Sequence, residues 1–221
     1  MAAAAKGNTN WFAIGISIAV VVVLVALGAL VVSLNNQAND PGTAPQSALV
    51  NDETGAISFG TGEEEIDTFV DFMCPACNAF EQQYGERLQA AAADNDITLN
   101  VHPISILDRY SQNTAYSTRA ASSAYCVAEE APDSFLDYFN LLFERQPAEN
   151  TTGLTNDELA AIAEEAGAGA AADCIAAEEF MDFVEFQTND HDIQGTPTVE
   201  INGERIDLQA GDAAKIEALL G

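Results

Sequence analysis

Positive charge is nearly missing from this chain. Seven Lys plus Arg face 35 Asp plus Glu, a net charge of -28, and the only lysines are Lys6 and Lys215. Such a field repels phosphate backbones and anionic membrane surfaces, which excludes nucleic acid as a class of partner. It suits a salty medium, where screening relieves self-repulsion, and equally fits plain acidic drift of the surface. Histidine is scarce as well, with His102 and His191 each standing alone, and there are four cysteines. A zinc site needs about four ligands, commonly two close pairs. Here one close pair exists, Cys74 and Cys77, so a metal site would have to recruit the isolated Cys126 and Cys174.

Long apolar runs are also lacking, except for one. Trp11 to Leu34 is uncharged and rich in Val, Ile, Leu and Ala, long enough to cross a bilayer at about 1.5 Å per residue. A cleaved secretory signal would have an apolar stretch of about 7 to 15 residues and a small-residue cleavage site. The run is longer than that, no such site follows Ser33-Leu34-Asn35-Asn36, and no cysteine follows to carry a lipid. We read residues 11–34 as a transmembrane signal-anchor, with residues 1–10 as a cytoplasmic tail, because Lys6 and the terminal amine favour the inside. The remaining chain, about 170 residues, then lies outside and suffices for one domain with a sizeable core. In that compartment disulfide chemistry is sensible, since cytosolic thiols are kept reduced. Residues 35–55, with Asn, Asp, Pro and Gly and no apolar period, read as a flexible linker.

What is present in strength is the stretch Phe69-Val70-Asp71-Phe72-Met73-Cys74-Pro75-Ala76-Cys77. An apolar strand pattern runs into a Cys-x-x-Cys and then directly into helical spacing. A cysteine at a helix N-terminus is held as thiolate by free backbone amides and the helix dipole. Pro75 fits the first turn, where a missing N-H costs nothing. Cys74 is thus the expected nucleophile and Cys77, one turn inward, the resolving thiol.

Around this junction the elements fall in order. Ala56 to Phe59 and Glu65 to Phe72 read as strands, the latter alternating and then continuously apolar. Phe80, Tyr84, Leu88 and Ala91 mark one face of a helix from Pro75 to Ala93, and Ile97 to Val101 alternates as the next strand. This βαβ unit puts the cysteines at the carboxyl end of a strand, where sites of α/β sheets gather. Helical patterns follow at Ser111–Glu130, Asp133–Arg145, from the capping box at Thr155 to Gly167, and at Asp173–Asn189, this last as one broken or two short helices. Their phenylalanines read as core. Asn150-Thr151-Thr152 is a formal glycosylation acceptor of a kind chance produces easily. Two strands joined by Asn202-Gly203 form a hairpin, and Asp212 can cap a last helix, Ala213 to Leu220. The order predicts an α/β thioredoxin fold over residues 56–221, with a helical insertion at about 108–190.

From Ala56 to Leu220 the chain resembles the membrane-anchored or secreted DsbA-like thiol:disulfide oxidoreductases. The resemblance rests on Phe-Met-Cys-Pro-Ala-Cys after a strand, on the helical insertion, and on Gly195-Thr196-Pro197-Thr198 before the hairpin. It implies a cis Pro197 facing the sulfurs and a Thr196 that offers backbone groups to an incoming peptide. The bare alternative for Pro197 is a strand-start proline with an unused N-H. It also implies a protein disulfide oxidoreductase with no cofactor beyond its redox-active disulfide. Expected partners are reduced or unfolded secreted polypeptides and a membrane protein that recycles the cysteine pair.

Two positions depart from the pattern. Relatives often carry an acid six residues before the first cysteine, where this chain has Thr68, with Asp67 and Asp71 nearby and neither certain to point inward. Strong oxidants often place a histidine before the second cysteine, where this chain has Ala76. We therefore expect a couple less oxidising than about -120 mV. Cys126 and Cys174 are expected to form a structural disulfide, with a second relay pair or two buried free thiols as alternatives. Other readings are a disulfide isomerase or reductase using the same site, and a non-catalytic module that delivers a metal through its thiols.

Overall fold

A computed structural model describes residues 11–38, 41–208 and 210–221. The chain divides into two units, Met1–Asp40 and Pro41–Gly221. In the first, the described residues form one helix, α1 (Trp11–Ala38). Its stretch Ile14–Ser33 has a mean hydropathy of 3.0 and is long and apolar enough to cross a membrane. The expected tail, residues 1–10, lies outside the described residues.

The second unit is built on a five-stranded sheet in the order β1-β3-β2-β4-β5. Its strands are β1 (Ile57–Phe59), β2 (Glu64–Val70), β3 (Ile97–Pro103), β4 (Thr198–Ile201) and β5 (Glu204–Ile206). β2 and β3 run parallel, as a crossover through a helix requires, and β1, β4 and β5 add antiparallel neighbours. The crossover is α2 (Pro75–Phe80), a π-helical turn at Glu81–Gly85, and α3 (Glu86–Ala93). The hairpin between β4 and β5 turns at Asn202 and Gly203, both with positive φ (52° and 77°), as a tight primed turn demands. α9 (Ala213–Leu220) closes the chain. Asp212 precedes it without capping it, because its carboxylate is turned to the amide of Asp207 instead.

Between β3 and β4 lie the expected helices: α4 (Tyr116–Glu130), α5 (Phe135–Glu144), α6 (Asn156–Glu165), α7 (Ala172–Ala177) and α8 (Met181–Asp190). α4 starts five residues later than its apolar pattern suggested. Gln112 and Asn113 adopt positive φ and hold the chain in a turn. The capping box at Thr155 and Glu158 is formed. α7 and α8 are separate helices, divided at Glu178 by a left-handed residue. Aromatic side chains from α5 pack on the sheet and active-site loop, with Phe135 stacked on Phe59 and Phe139 and Phe143 against Phe72.

The linker expectation for residues 35–55 needs correction. α1 continues to Ala38, and the compact unit begins at Pro41. Ser47 Oγ donates to the Ala128 carbonyl at 2.6 Å, Val50 bridges Ile57, and Leu49 and Val50 rest on the core. The Tyr125 hydroxyl donates to the Gly55 carbonyl at 2.7 Å. A few apolar residues and buried donors suffice to dock a stretch rich in turn formers.

Candidate active site

β2 ends at Val70, and the chain turns through Asp71, Phe72 and Met73 into α2. Cys74 is the residue before the first helical turn, in extended geometry (φ -79°, ψ 116°), with Pro75 following. Its amide donates to the Asp71 carbonyl at 2.9 Å, and its carbonyl accepts from Asn78 at 3.2 Å. Cys77 is fully buried one turn on, while Cys74 keeps a little exposure, and both are free thiols.

The Thr196–Pro197 peptide is cis. It brings the Thr196 carbonyl to 3.2 Å from Cys74 Sγ, where the thiol donates to it. The Thr196 hydroxyl is buried, has no oxygen or nitrogen partner, and faces the two sulfurs. Chain segments more than a hundred residues apart thus meet at one sulfur.

The two thiols are driven apart electrostatically. The Cys77 thiol donates to Cys74 and lowers it most, and burial opposes this. The Thr196 hydroxyl and the first amides of α2 add to the lowering, leaving Cys74 at about 6. Burial, then the neighbouring Cys74 sulfur, push Cys77 well above an ordinary thiol. One sulfur is therefore an anion near neutral pH beside a second that keeps its proton. Such a pair can perform thiol-disulfide exchange, because the thiolate is the nucleophile and the better leaving group.

Asp71 turns inward, although alternation along the strand did not guarantee it. The strand has ended one residue earlier, which frees its direction. Its buried carboxylate accepts from the amides of Met73 (2.8 Å), Ile106 (2.9 Å) and Leu107 (3.0 Å) and from Ser117 Oγ (2.7 Å). Burial outweighs these four donors and pushes Asp71 up to about 6. Asp67 points to the other face and pairs with His102 Nε2 at 2.9 Å. His102 stacks on Phe69, and His191 stands edge-on 5.1 Å away. Both histidines line a polar cleft together with Asp67 and Phe69, whereas the Thr68 side chain faces the opposite side of the sheet. Among the described residues, no three His, Cys, Asp or Glu side chains are grouped to hold a metal.

Gln146, just beyond α5, carried no sequence signal. Its amide donates to the carbonyls of Cys74 (2.9 Å) and Phe72 (3.1 Å), and Asn78 Nδ2 reaches both Gln146 and the Phe143 carbonyl. The loop is thereby pinned to the helical region. Beside the sulfurs runs an open groove of about 970 Å³, lined by Ala76, Phe80, Tyr84, Thr196, Pro197 and Leu208 among others. Cys126 and Cys174 lie apart from it and are joined as a disulfide, with Cα atoms 5.7 Å apart.

Comparison with known proteins agrees with this geometry. Residues 61–220 match the family model described as Thioredoxin. Oxidised DsbA of Mycobacterium tuberculosis superposes with a TM-score of 0.66 at 31% identity, over 75% of this chain and 93% of that one. Reduced DsbG, a disulfide bond oxidoreductase of the same organism, gives 0.65 at 30%, over 75% and 88%. A stretch of 107 residues is 36% identical to the serine/threonine-protein kinase PknE of Mycobacterium tuberculosis, covering 47% of this chain and 19% of the kinase. The chain thus spans about a fifth of that curated relative. A thiolate set on a helix end opposite a cis-proline loop, with a matching fold at 30% identity or more, makes this chain a member of the thioredoxin family and, within it, a DsbA-like thiol-disulfide oxidoreductase.

Proposed function

We propose that the domain works outside the cytoplasm, held to the cell membrane by α1, and introduces disulfides into secreted polypeptides. The observation that carries this reading is the divided thiol pair, Cys74 lowered to about 6 and Cys77 raised well above an ordinary thiol. Stabilising the Cys74 thiolate stabilises the reduced enzyme, so its disulfide is a ready electron acceptor. A substrate thiolate attacks Cys74 Sγ, the Cys74–Cys77 bond breaks, and Cys77 leaves with the electron pair and takes a proton. The second substrate thiolate then attacks the substrate sulfur of the mixed disulfide and releases Cys74 as thiolate. The substrate dithiol is oxidised and the enzyme pair reduced. A membrane partner that withdraws two electrons resets it.

In this scheme Thr196 presents its backbone to the incoming chain, Pro197 keeps that backbone opposite the sulfurs, and the neighbouring groove receives the extended peptide. The pair itself is the only redox group required. Ala76 gives no hydrogen bond to the thiolate, and the couple is expected below about -120 mV. Alkylation and gel shift of Cys74 and Cys77 in intact cells tests the direction. A mostly oxidised pair is expected, whereas a mostly reduced pair would assign the domain to isomerisation or reduction.

A further inference from the structure

One acidic side chain points where no partner waits for it. The Glu81 amide donates to the Cys77 carbonyl, which sets Glu81 one turn beyond Cys77 on the same helix face, with Cβ atoms about 5–6 Å apart. The π-helical turn begins at this residue. The side chain enters a small cavity of about 10 Å³ between helix and sheet, lined also by Thr68, Gly85, Leu88, Leu99 and Phe139. That is room for about one water. Glu81 Oε2 lies over Gly85, so a Cβ built there would come within 2.6 Å of it. Among the described residues the carboxyl has no hydrogen-bond or ion-pair partner, and burial alone pushes it up to about 8. Thr68, from the strand below, brings only a hydroxyl, directed at the Asn100 carbonyl at 3.5 Å.

A buried carboxyl without a donor destabilises the fold, and Cys77 has an unmet need beside it. The Cys77 thiol is fully buried, yet it must shed its proton to attack a mixed disulfide on Cys74 and regain one when it leaves. We propose that Glu81 is the proton carrier for Cys77, acting through a water in the cavity. This rests on the exchange reaction proposed above. In one direction the Glu81 carboxylate takes the Cys77 proton, and the resulting thiolate attacks Cys74 Sγ, forming the Cys74–Cys77 bond and expelling the substrate thiolate. In the other direction the carboxylic acid returns the proton to Cys77 as the Cys74–Cys77 bond breaks. The helix thus delivers the acid for which the strand position Thr68 has no group.

The test loads the full-length protein at Cys74 with glutathione as a mixed disulfide and follows glutathione release by Cys77 from pH 6 to 9. In the native protein release should rise through about pH 8. Glu81→Gln should slow it at pH 7 by at least about tenfold and move the rise to higher pH, while Glu81→Asp restores part of the rate. Gly85→Ala, whose methyl occupies the place of Oε2, should slow release with the carboxyl still present. Glu81→Leu should release slowly yet melt at a higher temperature than the native protein at pH 8, which a purely structural residue would not do. Native rate and pH profile in Glu81→Gln, or a lower melting temperature in Glu81→Leu, would overturn the proposal for Glu81 alone. If the native protein itself releases no glutathione, the exchange reading and the proposal fall together.

Discussion

Two cysteine pairs share this fold and behave oppositely. Cys126 and Cys174 sit within α4 and α7, separated by 48 positions in sequence, and are joined. Cys74 and Cys77 sit at the opening of α2 and are free. Inside a helix each amide is engaged one turn back, so no donor remains for a sulfur anion. At the opening the first amides are unclaimed, and a proline loop from far along the chain adds a hydroxyl. Position along a helix, and not residue type, divides a staple from a reagent.

The largest break in this contrast comes from exchanging sulfur for oxygen. Cys74→Ser should reduce disulfide exchange to the uncatalysed background, and Cys77→Ser should accumulate a Cys74 mixed disulfide with glutathione, both read by mass spectrometry. By contrast, replacing Cys126 and Cys174 together with Ala should leave the alkylation profile of Cys74 in place. Its effect should appear in denaturant unfolding as a loss of about 4 kcal/mol on the chain-entropy model. Equal exchange loss in both experiments would dissolve the distinction.

A smaller effect is expected at the support of the reactive pair. Asp71→Asn turns an amide against three backbone N-H groups and should cost about 2 kcal/mol. The native carboxyl, at about 6 when folded against an ordinary 3.8, binds its proton more tightly folded than unfolded. Its contribution is therefore most favourable below about pH 4 and declines as pH rises to about 6. Comparing unfolding of native and Asp71→Asn protein across that range should show the slope in the native protein only. Smallest of all, Thr196→Val should raise the midpoint of Cys74 alkylation from about 6 by about 0.7 pH unit, one neutral hydrogen bond being about 1 kcal/mol. An unshifted midpoint would remove the Thr196 hydroxyl from the account of the thiolate.

The reactive pair was legible because its signal is local: strand pattern, Cys-x-x-Cys, proline and helical spacing are contiguous, and Gly195-Thr196-Pro197 supplied the opposing loop. The helical region between β3 and β4 was legible from periodicity. Three things were not. Asp71 lies just past a strand end, where alternation stops fixing direction. Glu81 shares a helix face with Cys77 and Leu88, but polarity gives it the look of a solvent residue. Residues 41–55 resemble a tether in composition, and only three-dimensional placement shows Ser47 and Gly55 bonded to α4. The join between Cys126 and Cys174 was one of three open alternatives, because spacing alone cannot say which helices become neighbours.

Gln146 lies two residues past α5, yet its amide grips the carbonyls on either side of Met73. A pull on the far end of α5 therefore drags the sulfur-bearing loop along. The outer helices serve as a chassis for one atom, and an engineer who trimmed them to make a smaller enzyme would lose its aim before losing its sheet.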